Sequence, residues 1–83
     1  MMKLSDWNKL MEHGNKLCAD LKEKGYDVRL RPYTMYDGRK GLYMQVFDSN
    51  GKFYKEYASG IDSFNMMKLI MEANARRIVN ECW

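Results

Sequence analysis

Residues 42–58 constrain the fold of this chain more than any other segment. At the start of the segment, aliphatic side chains alternate with aromatic or polar ones: Leu42, Tyr43, Met44, Gln45, Val46 and Phe47. Such an alternation predicts a β-strand, because successive side chains of a strand point to opposite faces of a sheet. Residues 48–52 suit a tight turn with Gly51 in the left-handed conformation, and residues 53–58 then form the returning strand. The segment predicts a β-hairpin that carries apolar side chains on both faces.

The register of this hairpin decides which side chains of its two strands share a face. Closing the turn across residues 48–52 places Phe47 opposite Phe53 and Tyr43 opposite Tyr57. We therefore expect Tyr57 on the aromatic face. A slip of one residue would exchange the two faces of the returning strand.

Two amphipathic helices are predicted, one on each side of the strands. Between residues 4 and 21, apolar side chains recur every three or four positions, which places them on one helix face. Ser5 is the expected N-cap of this helix, and Gly25 is its expected end. Gly14 lies inside the apolar face, where a missing side chain lets a neighbouring element approach closely. Asp62 is the expected N-cap of the final helix.

An α+β fold follows from these elements. Tyr26, Val28 and Leu30 alternate with polar residues in a first strand that we expect to end near Pro32, with residues 33–40 as a connection. The predicted fold is a single small domain over residues 1–83, a helix, a three-stranded antiparallel meander and a helix (αβββα), with both helices on one sheet face. The expected core beneath the helices contains Val28, Leu30, Leu42, Met44 and Val46.

Composition favours a cytoplasmic domain. No segment approaches the roughly 20 apolar residues that span a bilayer, and the first residues lack the apolar run of a signal peptide, so no membrane association is expected. Cys18 and Cys82 lie far apart in the sequence, and we expect reduced thiols. The net charge of +3 is too small by itself to imply a nucleic-acid ligand. Its surplus lies mainly in residues 25–41.

Residues that could carry chemistry are few. His13 is the only histidine, and it lies off the apolar face of the first helix, so we expect it to be solvated. It has no cysteine or second histidine at the spacing of a metal site. The chain has no nucleophile elbow, P-loop or dinucleotide-binding fingerprint. We therefore expect no enzymatic activity, no metal and no cofactor.

The sheet face away from the helices is the predicted site. Arginines of the first strand and aromatic rings of the second would meet there, which suits a protein hot spot or the stacking of single-stranded bases. In a third interpretation, the rings cover one another and bind no ligand. The final helix is apolar on two sides, so its outer side could form a second contact or a homodimer face. The candidate partner-binding residues are Arg29, Arg31, Arg39, Lys40, Tyr43, Phe47, Tyr57, Met66 and Leu69.

The element order resembles that of double-stranded RNA-binding domains over the whole chain. Those domains place a lysine cluster at the start of the second helix to contact phosphates. Residues 62–68 of this chain are acidic at the cap and contain a single lysine, Lys68. Because the lysine cluster is missing, we do not expect binding to double-stranded RNA.

In size and element order the chain also resembles small phage-encoded inhibitors of bacterial defence, of the anti-CRISPR type. The resemblance rests on a compact single domain that is rich in methionine (8 residues) and tyrosine (6 residues). No site residue can be assigned from it. It implies a stoichiometric inhibitor, acting in a host cytoplasm on a protein partner such as a nucleic-acid-processing complex. The leading hypothesis is thus a non-enzymatic protein-binding module that occludes a partner surface. The alternative is a nucleic-acid-binding domain that uses the basic and aromatic sheet face together with Arg39 and Lys40.

Overall fold

The computed structural model describes residues 3–60 and 63–82, which form two helices and three strands. In chain order the elements are α1 (Leu4–Glu23), β1 (Asp27–Thr34), β2 (Lys40–Phe47), β3 (Phe53–Ser59) and α2 (Phe64–Glu81). The strands form one antiparallel sheet in the order β1-β2-β3. This is the predicted α+β fold with the helix–meander–helix order. None of the described helices is long and apolar enough to cross a membrane.

Both helices pack on the same face of the sheet. α1 contacts β1, α2 contacts β2 and β3, and the two helices contact each other. Between them, the aliphatic side chains of β2 are fully buried. The largest fully buried apolar side chains are Leu10, Leu42, Met44, Val46, Met67, Met71 and Ile78. We call this side of the sheet the covered face.

Gly14 lies where α1 approaches the rest of the core most closely. A Cβ placed on it would lie 2.5 Å from Cε of Met71 and 2.6 Å from Cδ1 of Leu30. The glycine thus lets α1 approach both α2 and β1, which confirms the expectation of a close contact at this position.

One end of α1 matches its prediction and the other does not. Gly25 adopts a φ of 95°, and the backbone N–H of Tyr26 donates to the Leu21 carbonyl at 2.9 Å, which is the Schellman ending of a helix. At the other end, Lys3 is the N-cap and makes no side-chain capping bond. Ser5 is wrong as the predicted cap, since the helix begins before it. The predicted cap of α2, Asp62, lies outside the described residues.

A β-bulge in β3 overturns the predicted register. Phe47 does face Phe53, but Val46 faces Lys55, so that Tyr54 has no direct partner on β2. Every later residue of β3 is displaced by one position, and Tyr57 faces Met44 instead of Tyr43. The prediction that Tyr57 lies on the aromatic face is therefore wrong. Its ring is buried on the covered face with 3% exposure.

β1 does not end at Pro32 as predicted, but continues to Thr34. Pro32 faces Leu42 in the sheet, and it is tolerated there because β1 is an edge strand. The two additional residues bring Tyr33 opposite Gly41, on the face away from the helices.

Candidate functional site

The face of the sheet away from the helices, here called the open face, has no helix packed against it among the described residues. Side chains of all three strands alternate onto it by their register. They are Asp27, Arg29, Arg31 and Tyr33 from β1, Tyr43, Gln45 and Phe47 from β2, and Phe53, Glu56 and Ala58 from β3. Four of these ten residues are aromatic and two are arginines, which is the combination enriched at the centres of protein interfaces.

A pair of stacked tyrosines forms one end of the open face. The ring centroids of Tyr33 and Tyr43 lie 4.4 Å apart with an interplanar angle of 28°. The Tyr33 ring lies so close over the backbone of Gly41 that a Cβ there would overlap it, and its hydroxyl approaches Gly60. Partial burial, and then the neighbouring Tyr43, raise the pKa of Tyr33. Two glycines thus provide the space in which this ring lies flat on the sheet.

The other end of the open face is built around Phe47. The guanidinium carbon of Arg29 lies 4.3 Å from the centroid of the Phe47 ring, and Phe53 meets the same ring edge-on at a centroid distance of 6.0 Å. Nη2 of Arg29 also lies 3.4 Å from Oδ2 of Asp27. The Arg29 charge is therefore already met by a ring and a carboxylate of its own domain.

Arg31 lies between these two ends. It is exposed, follows Arg29 and precedes Tyr33 along the same face of β1, and faces Tyr43 on β2. Within residues 3–60 and 63–82, its side chain makes no hydrogen bond and no ion pair. Arg31 thus differs from Arg29, whose guanidinium is held on two sides.

Two of the predicted basic residues do not extend the open face. Nε of Arg39 donates to Oδ2 of Asp37 at 2.7 Å, and the backbone N–H of Arg39 donates to Oδ1 at 3.1 Å. These bonds, the backbone one first, lower the pKa of Asp37. Nζ of Lys40 lies 5.2 Å from the ring centroid of Trp7 in α1. The placement of Lys40 beside the open face is therefore wrong, because its position on β2 directs it toward the helices.

The buried Tyr57 belongs to a cluster that ties β3 to the end of α2. Its hydroxyl donates to Oε1 of Glu81 at 3.0 Å, and the same carboxylate binds Lys55 at 3.1 Å and Arg77 at 3.1 Å. Burial, followed by its hydrogen bonds to Cys82 and Glu81, raises the pKa of Tyr57. Hydrogen bonds from Lys55, Arg77 and Tyr57 lower the pKa of Glu81 to about 2. The ring thus contributes to the packing of the domain and not to its open surface.

The loop between β1 and β2 presents an aromatic side chain that was not predicted. Tyr36 is fully exposed, with no neighbour covering its ring. The loop is closed by a bond from the backbone N–H of Met35 to the Arg39 carbonyl at 2.7 Å and by the Asp37–Arg39 pair. Nothing in the sequence distinguishes Tyr36 from an ordinary loop residue. Tyr33 could have been found from the glycines at positions 41 and 60, which leave room for a ring.

Met66 and Leu69 lie on the outer side of α2, 46% and 59% exposed. Their exposure confirms that α2 is apolar on two sides, because Met67 and Met71 of the same helix are fully buried. The helical layer and the sheet separate this outer side from the open face.

Groups suited to chemistry are engaged in the packing of the helices. Nε2 of His13 lies 3.0 Å from Oε2 of Glu72 on α2, and its side chain is 24% exposed, so the prediction of a solvated histidine is wrong: the neighbouring helix covers most of it. Cys18 and Cys82 are free, and burial raises the pKa of the Cys18 thiol to about 11. The described part of the chain holds no group of three or more histidine, cysteine, aspartate or glutamate residues that could bind a metal ion.

Comparisons of the chain with protein-family models, with curated protein sequences and with solved structures find no match. The chemistry of the open face is therefore the basis on which a function is inferred. Its aromatic rings contact one another and Arg29, whereas the Arg31 guanidinium lacks a partner within the described residues.

Proposed function

We propose that this domain is a non-enzymatic protein-binding module that occludes a surface of its partner through the open face. The observation that carries the proposal is an aromatic and arginine-containing sheet face that no described helix covers. Side chains of these types supply most of the binding energy at protein interfaces. The Tyr33–Tyr43 stack and the Arg29–Phe47 contact fix several of them before a partner arrives, which lowers the entropy lost on binding.

The state of the rings supports a protein partner over a single-stranded nucleic acid. Binders of single strands offer free ring faces on which successive bases stack. Here Tyr33 and Tyr43 stack on each other, and Arg29 lies over the face of Phe47. A base would first have to displace these contacts, whereas a protein surface can pack against the group as it stands.

The charges of the open face support the same choice. Its two arginines, Arg29 and Arg31, are balanced in number by Asp27 and Glu56. A nucleic-acid backbone presents a row of phosphates and is bound by several cations at once. Arg39 is paired with Asp37, and Lys40 is directed toward α1, so neither adds a free cation to this face.

Occlusion is the mode of action that we propose. The open face is an antiparallel sheet, whose side chains are already packed against one another. A stoichiometric inhibitor, such as one directed at a nucleic-acid-processing complex, would act by placing such a surface over a site that its target needs. The cytoplasm is the compartment in which we place this interaction.

Affinity capture from native lysate, with and without nuclease, tests this proposal. The bait is the full chain, compared with the double variant Tyr43→Thr/Phe47→Thr, which removes two rings and keeps strand-forming residues. The matched control is Met66→Thr/Leu69→Thr on the outer side of α2. Each bait is first checked for native circular dichroism.

We expect the wild-type chain to capture a protein partner with and without nuclease. Met66→Thr/Leu69→Thr should still capture this partner, and Tyr43→Thr/Phe47→Thr should not. The affinity of this partner for the wild-type chain should depend only weakly on salt. A complex that disappears with nuclease, or whose binding constant falls by about one logarithmic unit per contacted phosphate as salt rises tenfold, would indicate the nucleic-acid alternative. Loss of the partner in the α2 variant alone would place the binding surface at Met66 and Leu69.

A further inference from the structure

We propose that the partner presents a carboxylate to Arg31, with apolar side chains on either side of that carboxylate. The inference rests on the proposed function, since it names the chemistry of the surface that the open face binds. It also makes a claim of its own, because the open face could bind a protein without using Arg31.

The two arginines of β1 differ in whether another group of the domain meets their charge. Arg29 lies over the Phe47 ring and beside Asp27, so its charge is met inside the domain. Arg31 is one residue pair further along the same strand face, exposed, and without a hydrogen bond or ion pair to any described residue. Of these two guanidiniums, Arg31 is the one available to an outside group.

Covering Arg31 requires an acceptor. A partner that packs on the open face removes water from the guanidinium, and a buried donor without an acceptor costs more than its hydrogen bond would contribute. The guanidinium carries its N–H donors in a planar fork that matches the two oxygens of a carboxylate. A partner complementary to this surface therefore carries an aspartate or glutamate at the point of contact.

The neighbours of Arg31 determine what flanks that carboxylate. Tyr43 faces Arg31 on β2, Tyr33 follows it along β1, and on the other side lies the Phe47 ring beneath Arg29. Alternate residues of a strand are about 7 Å apart, the spacing of side chains two positions apart in an extended peptide. An apolar group two positions from the partner's carboxylate would thus contact the Tyr33–Tyr43 end, and one four positions away on the other side would reach Phe47, which lies opposite Asp27.

A phosphate has the same fork-like oxygens, and a nucleic acid is the competing source. One guanidinium without a partner among the described residues suits one carboxylate, whereas a nucleic acid brings a phosphate at every nucleotide. Asp27 and Glu56 balance the two arginines in number, so the open face lacks the row of cations that a phosphate chain requires. The observations therefore favour an acidic, apolar-flanked protein segment.

Selection from a display library of random linear peptides tests the inference with a defined probe. The full chain is the bait, and the enriched peptides are synthesised and measured against wild type, Arg31→Gln and Arg76→Gln. Arg76 is an exposed arginine of α2, remote from the open face, and serves as the charge-matched control. A labelled single-stranded DNA of mixed sequence is measured in parallel.

We expect the enriched peptides to carry an aspartate or glutamate between apolar residues. Their affinity for Arg31→Gln should be at least about tenfold lower than for wild type, and their affinity for Arg76→Gln should equal that for wild type. Enrichment without a shared acidic position, equal losses in both variants, or DNA bound more tightly than any peptide would each overturn the inference. If the lysate partner is lost with Tyr43→Thr/Phe47→Thr but kept by Arg31→Gln, the protein-binding function stands and the carboxylate contact is refuted. If no variant captures a protein and no peptide is enriched, both proposals fail.

Discussion

The two faces of the sheet use the same strand in opposite ways. On β2, Met44 and Val46 are fully buried beneath the helices, while Tyr43 and Phe47, one residue away, are only partly buried on the open face. The covered face is stabilised by non-directional packing from every side. The open face is held by specific pairs of rings and a guanidinium. The comparison indicates that the fold depends on the first face, whereas the second, which no described helix covers, is the one for which we propose binding.

Truncating one side chain on each face should give the largest difference in the free energy of unfolding. Met44→Ala leaves a cavity in the core, and we expect a loss of about 2–5 kcal/mol in the free energy of unfolding. Phe53→Ala removes a ring that is 53% exposed on the open face, and we expect a loss below about 1 kcal/mol. Urea denaturation followed by circular dichroism measures both. Comparable losses would mean that the open face is part of the core.

Adding a methyl group to the glycine of α1 that packs against the core of the covered face should have an intermediate effect. Gly14→Ala forces Cε of Met71 and Cδ1 of Leu30 to move within a packed core, which costs about 1–3 kcal/mol. Alanine offsets about 1 kcal/mol of this through its helix propensity. We expect a net loss of up to about 2 kcal/mol by urea denaturation. A more stable variant would show that the contact between α1 and its neighbours is loose.

The same substitution on the open face should change structure more than stability. The Cβ of Gly41→Ala would overlap the Tyr33 ring, which can swing into solvent. We expect a loss below about 1 kcal/mol, the order of one aromatic contact, and separation of Tyr33 from Tyr43. Ring proton chemical shifts of the two tyrosines report the separation. Unchanged shifts would contradict the assignment of Gly41 as the residue that makes room for the ring.

The smallest effect is expected from the cluster that holds Tyr57 on the covered face. The Glu81 carboxyl has a pKa of about 2, below its ordinary value of 4.5, because Lys55, Arg77 and Tyr57 bind the ionised form. Since the pKa is lowered in the folded state, the carboxyl stabilises the fold above pH 4.5 and loses this contribution as the pH falls toward 2.

Thermal unfolding between these pH values checks the effect. The melting temperature of wild type should fall more steeply with decreasing pH than that of Glu81→Gln, whose side chain does not titrate. Parallel curves for the two proteins would show that the hydrogen bonds of Glu81 make no net contribution.

The alternation of β2 sufficed to predict both faces of the central strand, because six consecutive residues follow it without interruption. Tyr57 could not be placed in the same way. A bulge at Tyr54 shifts the register by one position, and the sequence of β3 carries aromatic rings that suit either face. The prediction therefore placed the Tyr57 ring on the open face, although it lies on the covered face.

Two other differences arise from the position of a residue relative to its neighbours. Pro32 would end a central strand, but β1 is an edge strand of the meander, where proline is accepted, so the strand continues past it to Thr34. His13 lies at the border of the apolar face of α1, so its environment depends on where α2 packs. In both cases the strand or helix was predicted correctly. The packing of neighbouring elements then decided how far β1 extends and how much of His13 is covered.

The central claim is that the partner binds the open face, and amide chemical-shift mapping tests it most directly. The captured partner is titrated into isotope-labelled chain, and the amide shifts are followed residue by residue. We predict that the perturbed amides cluster in residues 29–33, 41–47 and 53–58, with α1 and α2 largely unaffected. Perturbations confined to the outer side of α2, around Met66 and Leu69, would contradict the account.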